Sequence, residues 1–287
     1  MKQTMDLPIS DALNRAANLL RPRSVTARQD ASVLLAHILK RSRGWIVAHP
    51  EALLSAEERA SLDQAFRQAS KGVPLPYILG HWDFFGLDFI VNPEVLIPRP
   101  ETELLVTMAI GWLTAHPGRQ LVADIGTGSG CIAISLAVNL PDLAVLATEL
   151  SAGALNIAEK NIRRHAVENR VTLIKGDLVD ELPEPVDVLC ANLPYIPSQE
   201  LEILPVSRYE PHLALDGGAD GLLVIRRLLS RCPRWIKPEG LILLEIEASL
   251  GSQVEEIAKT HFPKAAIQCK QDLAGHDRLV LIELENK

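Results

Sequence analysis

The 287-residue chain has little cysteine, few aromatic side chains and no long apolar run, and each shortage narrows what it does. Its four cysteines, Cys131, Cys190, Cys232 and Cys269, stand far apart with no C-x-x-C pair. That excludes the usual zinc spacings and a disulfide framework, so no metal is expected and a reducing, cytoplasmic location is. No apolar stretch approaches the ~18 residues of a membrane helix, and the opening MKQTMDLPIS lacks the apolar core of a secretory signal. No membrane partner is expected. Aromatics make up 4%, too few for a row of base-stacking platforms. A basic excess is missing as well. The net charge is −7 and unevenly spread: residues 1–75 carry 11 Lys and Arg against 7 Asp and Glu, the remainder 18 against 29. An acidic bulk grips a long run of phosphates poorly. What is present is 47% hydrophobic and 23% charged, an ordinary globular composition at a length that suits two domains.

Residues 1–75 read as a small helical bundle. Ser10 is the candidate cap of a helix with Leu13, Ala16, Ala17 and Leu20 on one face. A second run spans about Thr26 to Lys40, with His37 as a packed or half-exposed helix residue. A third starts at Ser55, where Ser-Ala-Glu-Glu fits a capping box, and stops at Gly72. No catalytic constellation falls here, and recognition is the expected role. Prolines then break the pattern, and residues 76–94 read as a β-hairpin linker. Trp82, Phe84, Phe85 and Phe89 are expected there as a packing wedge between domains, with His81 as a hydrogen-bonded structural residue.

From residue 95 to 287, strands and helices alternate. Near-continuous apolar runs at 121–125, 144–148, 171–175, 186–191 and 241–246 predict strands buried on both faces of a mostly parallel sheet. Helical stretches fall at 131–138, 152–165 and 222–231, and two late strands near 267–270 and 279–284 suit an edge hairpin. The fold class is therefore α/β, of doubly wound type.

The chemistry collects at strand ends, where such folds bind ligands. The first strand runs into Asp124-Ile125-Gly126-Thr127-Gly128-Ser129-Gly130 and a helix follows at once. Glycines let a ligand approach the main chain, and the helix start offers free N–H groups. A dinucleotide fingerprint needs a third glycine where Cys131 stands, so an NAD site is disfavoured; a Gly-rich turn without ligand is the alternative. The second strand ends in Glu149, a candidate acceptor for ribose hydroxyls, or simply a neighbour of the next helix cap. The third ends in Gly176-Asp177-Leu178, a carboxylate for an adenine amino group and an apolar side chain for its ring. The fourth ends in Asn192-Leu193-Pro194-Tyr195. An Asn oxygen and an outward backbone carbonyl beside Pro194 can take the two N–H bonds of a planar amide or amino group, with Tyr195 as a flat face; the alternative is a polar turn.

In this order, those motifs resemble a class I S-adenosylmethionine-dependent methyltransferase acting on a planar nitrogen. Pro76-Tyr77-Ile78-Leu79-Gly80, Leu96–Glu103, Asn192–Pro197, Arg208-Tyr209-Glu210-Pro211, Ala214–Gly218 and Leu243-Leu244-Glu245 narrow the match. The chain resembles the peptide chain release factor glutamine methyltransferases over nearly its whole length. The resemblance implies a Rossmann-like, seven-stranded class I methyltransferase domain preceded by a helical bundle and a hairpin linker. It implies methylation of the side-chain amide nitrogen (N5) of the glutamine in the Gly-Gly-Gln motif of class 1 release factors. S-adenosyl-L-methionine is the implied cofactor and S-adenosyl-L-homocysteine the product. Carried over by position, Asp124, Gly126, Thr127, Gly128, Ser129, Gly130, Glu149, Asp177, Leu178 and Asn192 would border the cofactor. Asn192, Leu193, Pro194 and Tyr195 would grip the glutamine, with Asn192, Pro194 and Tyr195 as the catalytic set. The family tetrapeptide is usually Asn-Pro-Pro-Tyr, so Leu193 is a departure; another is Ile246-Glu247, where His-Gly is common.

The expected mechanism is direct in-line transfer without a strong base. The expected partner is a release factor and not nucleic acid, and the expected state is a monomer. Two competing readings are an N6-adenine DNA or RNA methyltransferase, which the acidic charge speaks against, and a binding module without activity, which the intact loop speaks against.

Overall fold

The computed structural model describes residues 7–22 and 24–285. The chain divides into two compact units, Met1–Gly80 and His81–Lys287.

The first unit is helical: α1 (Ile9–Leu20), α2 (Ala27–Leu39), α3 (Arg43–Ala48), α4 (Ala56–Lys71) and α5 (Leu75–Leu79). α4 starts as its sequence demands. Ser55 Oγ accepts from Glu58 N at 3.2 Å, Glu58 Oε2 accepts from Ser55 N at 2.7 Å, and Gly72 closes the helix at φ 96°. Leu62, Ala65, Phe66 and Ala69 bury its apolar stripe. α1 departs from expectation. Pro8, not Ser10, is its N-cap, and Ser10 lies one residue inside the helix without capping it. The fixed φ of proline suits a helix entry, and the chain uses it ahead of the serine. α5 runs straight through Pro76, because a proline in the first turn costs no internal hydrogen bond.

The second unit opens with an antiparallel hairpin, β1 (His81–Phe84) and β2 (Leu87–Ile90). Phe84 and Phe89 pack into this unit's own core beside Leu105, Val106 and Ile132, which corrects the expectation of a wedge between domains for these two rings. His81 Nδ1 meets Asp88 Oδ1 at 2.6 Å across the hairpin. There follow α6 (Thr102–Ala115), β3 (Leu121–Ile125), α7 (Cys131–Asn139), β4 (Ala144–Glu149), α8 (Ala152–Arg164), β5 (Val171–Lys175) and β6 (Val186–Asn192). The chain then passes through α9 (Ser198–Leu201), α10 (Leu223–Arg231), β7 (Ile236–Glu245), α11 (Gly251–His261), β8 (Ala266–Gln271) and β9 (Asp277–Glu283).

The seven strands from β3 onward form one sheet in the order β5-β4-β3-β6-β7-β9-β8. β3 through β7 are parallel and the β8–β9 hairpin adds two antiparallel strands at one edge. Two apolar clusters, one on each face, sandwich it. The strand order reverses between β3 and β6, which opens a crevice at their carboxyl ends. At the opposite end, Asp187 fixes the frame. Its carboxylate accepts from the backbone N–H groups of Gln120 and Leu121 and from Arg119 and Lys237, which holds its pKa below the usual carboxylate range despite burial. Among the described residues, no helix is long and apolar enough to cross a membrane, and no group of three or more His, Cys, Asp or Glu is placed to hold a metal ion.

Candidate active site

The crevice contains a cleft of 440 Å³ at the carboxyl ends of β3, β4, β5 and β6. Leu178 after β5 and Glu149 at the end of β4 line one side, Gly126, Thr127, Gly128 and Ser129 after β3 come next in strand order, and Asn192, Leu193 and Pro194 at the end of β6 follow on the other side. Segments distant in sequence are thus brought together. Asp177 lines the cleft too.

The loop after β3 is shaped by backbone conformation. Gly128 and Gly130 sit at φ 57° and 83°, which other residues adopt at a cost. A Cβ on Gly130 would come within 3.0 Å of Ile134 Cδ1, whereas one on Gly128, which lines the cleft, would meet nothing nearer than Gly126 O at 3.9 Å. The N–H groups of Gly126 and Thr127 both reach Thr148 O, at 2.9 and 3.0 Å. Asp124 holds the loop from beneath. It is fully buried, and its Oδ2 accepts from Thr127 Oγ1 at 2.5 Å and Ala133 N at 3.1 Å. Burial pushes its pKa up to about 6, against the two hydrogen bonds, with the Glu149 charge adding to the rise. Asp124 and Gly130 do not line the cleft; they shape the loop that does.

Glu149 ends β4 with one oxygen on each side. Oε2 accepts from Gly128 N at 2.9 Å and Oε1 from Ser151 N at 2.8 Å. A carboxylate has about four acceptor positions, so each oxygen keeps capacity toward the cleft. Asp177 binds Arg227 and Arg231 through Oδ2, and Leu178 adopts φ 59°, a strained conformation for a leucine beside the cleft.

The tetrapeptide leaves β6 under tight control. Leu193 is buried, and its Cδ2 lies where a Cβ on Gly126 would touch it at 3.3 Å. Ile196 N donates to Leu215 O and Gly217 N to Ile196 O, at 3.1 and 2.8 Å. A Cβ on Gly221 would strike Tyr195 O at 2.3 Å, so the backbones pack directly. Tyr195 itself is not at the cleft wall. Its ring packs against the core cluster under the sheet end, and burial pushes its hydroxyl up to about 12.

Three groups emerge here that residue spacing does not announce. Asn192 Nδ2 donates to Thr102 Oγ1 at 3.0 Å, joining β6 to the first residue of α6. Asn192 also stands in register with Glu245 on β7. Glu245 is 2% exposed, and burial raises its pKa to about 7 although Thr102 and Asn192 both hydrogen-bond it. The signal for Glu245 is a single charge ending the apolar run Leu241–Leu244. Nearby, Glu210 ties down the segment before α6, accepting from Arg99 Nη2 at 2.5 Å and Ile97 N at 3.0 Å.

With this geometry in place, comparison with known proteins is informative. Residues 11–80 match the PrmC N-terminal domain model, and residues 102–206 match the methyltransferase small domain model. The release factor glutamine methyltransferase of Moorella thermoacetica is 39% identical over 282 residues, spanning 97% of this chain and 98% of that protein. The chain belongs to the release factor glutamine methyltransferase family. Its Geobacter sulfurreducens relative of the same name is 39% identical over 259 residues, 88% of each chain, and the Bacillus anthracis one 35% over 260 residues, 88% of this chain and 91% of that one. Among solved structures, the hMettl16 catalytic domain in complex with a MAT2A 3′UTR hairpin shares the fold at a TM-score of 0.53. It is 18% identical, covering 83% of this chain and 85% of that one. In this methyltransferase the carboxyl ends of the parallel strands, Gly126–Ser129 and Asn192–Pro194 all meet at one cleft.

Proposed function

We propose that the chain methylates the side-chain amide nitrogen (N5) of the glutamine in the Gly-Gly-Gln motif of class 1 peptide chain release factors, using S-adenosyl-L-methionine. The observation that carries this reading is the cleft itself: a glycine loop and Glu149 at one end, the Asn192–Pro194 turn at the other. The relatives of the same family are named for release factor glutamine methylation.

The residues present fit the cofactor. Gly128 lines the cleft without a side chain, which suits a ligand lying against main chain, and Glu149 has unused acceptor positions for two ribose hydroxyls. Gly126–Ser129 would border its methionine part, and Asp177 and Leu178 its adenine. Asp124 and Gly130 would act by holding the loop. When bound, S-adenosylmethionine supplies an electrophilic methyl group on sulfur and leaves as S-adenosyl-L-homocysteine.

The protein's part is to make a poor nucleophile react. The lone pair of an amide nitrogen is shared with its carbonyl. Asn192 Oδ1 and a backbone carbonyl of the Leu193–Pro194 turn accept the two N–H bonds of the glutamine amide and hold the nitrogen in line. Those bonds strengthen as positive charge develops on nitrogen, which stabilises the transition state above the ground state. The extra proton leaves to water after transfer. Pro194 fixes the turn. Tyr195 supports it from the core side instead of offering its ring as a wall.

Residues 1–75 serve release factor recognition and 95–287 methyl transfer, while the linker expected at 76–94 as a hairpin is part helix: α5 runs to Leu79 in the first unit and the hairpin itself is His81–Ile90 in the second. The enzyme acts in the cytoplasm as a monomer, on protein and not on nucleic acid. Mass spectrometry of a purified class 1 release factor after incubation with this chain and S-adenosylmethionine tests the reading. The expected result is one added methyl on the glutamine of Gly-Gly-Gln. An unmodified release factor alongside methyl transfer to nucleic acid would overturn it.

A further inference from the structure

The side chains of asparagine and its flipped form have the same shape, so only hydrogen-bond partners decide which end of the amide faces a ligand. At Asn192 that decision is built from two residues on other elements. We infer that Thr102 and Glu245 are positioning residues that hold the Asn192 amide by its nitrogen and so present its oxygen to the cleft.

The bond pattern gives the reason. Asn192 Nδ2 donates to Thr102 Oγ1 at 3.0 Å. The threonine hydroxyl has a single proton, and with its oxygen accepting from Asn192 it donates that proton to Glu245, whose carboxyl both side chains bond. Strand register puts Asn192 and Glu245 side by side on β6 and β7, and all of this lies under 3% exposed at Thr102 and Glu245. Two acceptors on the amide nitrogen leave Oδ1 as the end for a substrate N–H. Glu245 Oε2 has no hydrogen-bond partner among the described residues.

The arrangement works only while Glu245 is ionised. Once protonated, its O–H becomes a donor, competes for Asn192 Oδ1 and turns the amide. Burial puts that change at about pH 7. The charged groups facing Glu245 are Arg278 from β9, which opposes the rise, and Glu101 just before α6, which adds to it. Tyr195 and Cys131 also feel its charge, but burial pushes both up to about 12, so neither titrates in this range.

The catalytic consequence rests on the glutamine-methylation reading; the bond pattern does not. Two measurements on the full chain keep them apart. The first follows the Asn192 side-chain amide by 15N NMR from pH 5.5 to 8.5, with N192D for assignment. A titration with a midpoint near 7 that vanishes in E245Q is expected. The second follows methyl transfer to a full-length release factor. In the wild type kcat should rise through the same midpoint. E245Q should lose about tenfold or more in kcat at pH 8 and lose the midpoint, while its affinity for S-adenosylmethionine stays within about twofold. T102V should fall similarly and T102S should recover. An Asn192 amide that does not respond to pH, or an E245Q enzyme with wild-type kcat and pH profile, overturns the inference. An amide that titrates as expected in a protein that leaves the release factor unmodified upholds the positioning and removes the function reading.

Discussion

The two ends of the cleft are built on opposite plans. At the β3–β4 end, side chains serve backbone: the Asp124 and Glu149 carboxylates together accept from three main-chain N–H groups, of Gly128, Ala133 and Ser151, and two glycines, Gly126 and Gly128, line the cleft. At the β6–β7 end, side chains serve a side chain. Thr102 and Glu245 bracket Asn192, which lines the cleft with the Leu193–Pro194 turn. Each end carries a buried carboxyl raised well above its usual range, Asp124 to about 6 and Glu245 to about 7, with one oxygen left unpartnered among the described residues. A glycine loop held by buried carboxylates suits a cofactor to be gripped along its length. A single oriented amide suits a substrate to be aligned at one atom.

The largest effect that sharpens this contrast is Asn192→Ala. It should lower kcat by about 100-fold or more while cofactor affinity changes by a few-fold, measured by turnover and calorimetry. Equal losses in both would erase the division between the ends. Next comes stability against pH. Both buried carboxyls have pKa values above their unfolded ones, so the stability they contribute is full below about pH 4 and is lost as pH rises through about 6 for Asp124 and about 7 for Glu245. Urea unfolding of E245Q should therefore gain on the wild type between pH 4.5 and 8, by at most about 3 kcal/mol. For D124N the gain should come lower in pH and be smaller, since Thr127 and Ala133 lose a charged acceptor. A smaller effect is expected of Glu149→Gln: about tenfold weaker cofactor binding, with kcat at saturation nearly kept. Smallest is Leu193→Pro. Either residue supplies the turn's carbonyls, so kcat should move by less than about threefold, and the lost packing on Gly126 should cost about 1 kcal/mol in a melt.

The β3–β4 plan was legible in the sequence because it is local. Asp124 to Gly130 is one contiguous stretch, and Glu149 follows on the neighbouring strand. The strands around it read clearly, since a short all-apolar run between turn residues suits a strand buried on both faces. The support for Asn192 was not legible as such. Thr102 lies 90 residues away, and only the pairing of β6 with β7 puts Glu245 beside it. The same distinction separates the helices. α4 announced itself through Ser55 and Gly72, but α6 is apolar on nearly every side and shows no 3.6-residue stripe to find. Ser10 misled because a good capping residue says nothing about the Pro8 shortly before it.

The order of strands at the sheet edge sets a timetable. β9, the last strand in the chain, lies between β7 and β8, and β8 pairs with nothing else in the sheet. During synthesis the helices of the first unit have their partners within 80 residues and need wait for nothing further. The sheet waits for residues 277–283, which complete the flank of the strand bearing Glu245 and bring Arg278 to it. A nascent chain halted before that point carries a finished helical unit and an Asn192 whose surroundings are still being assembled.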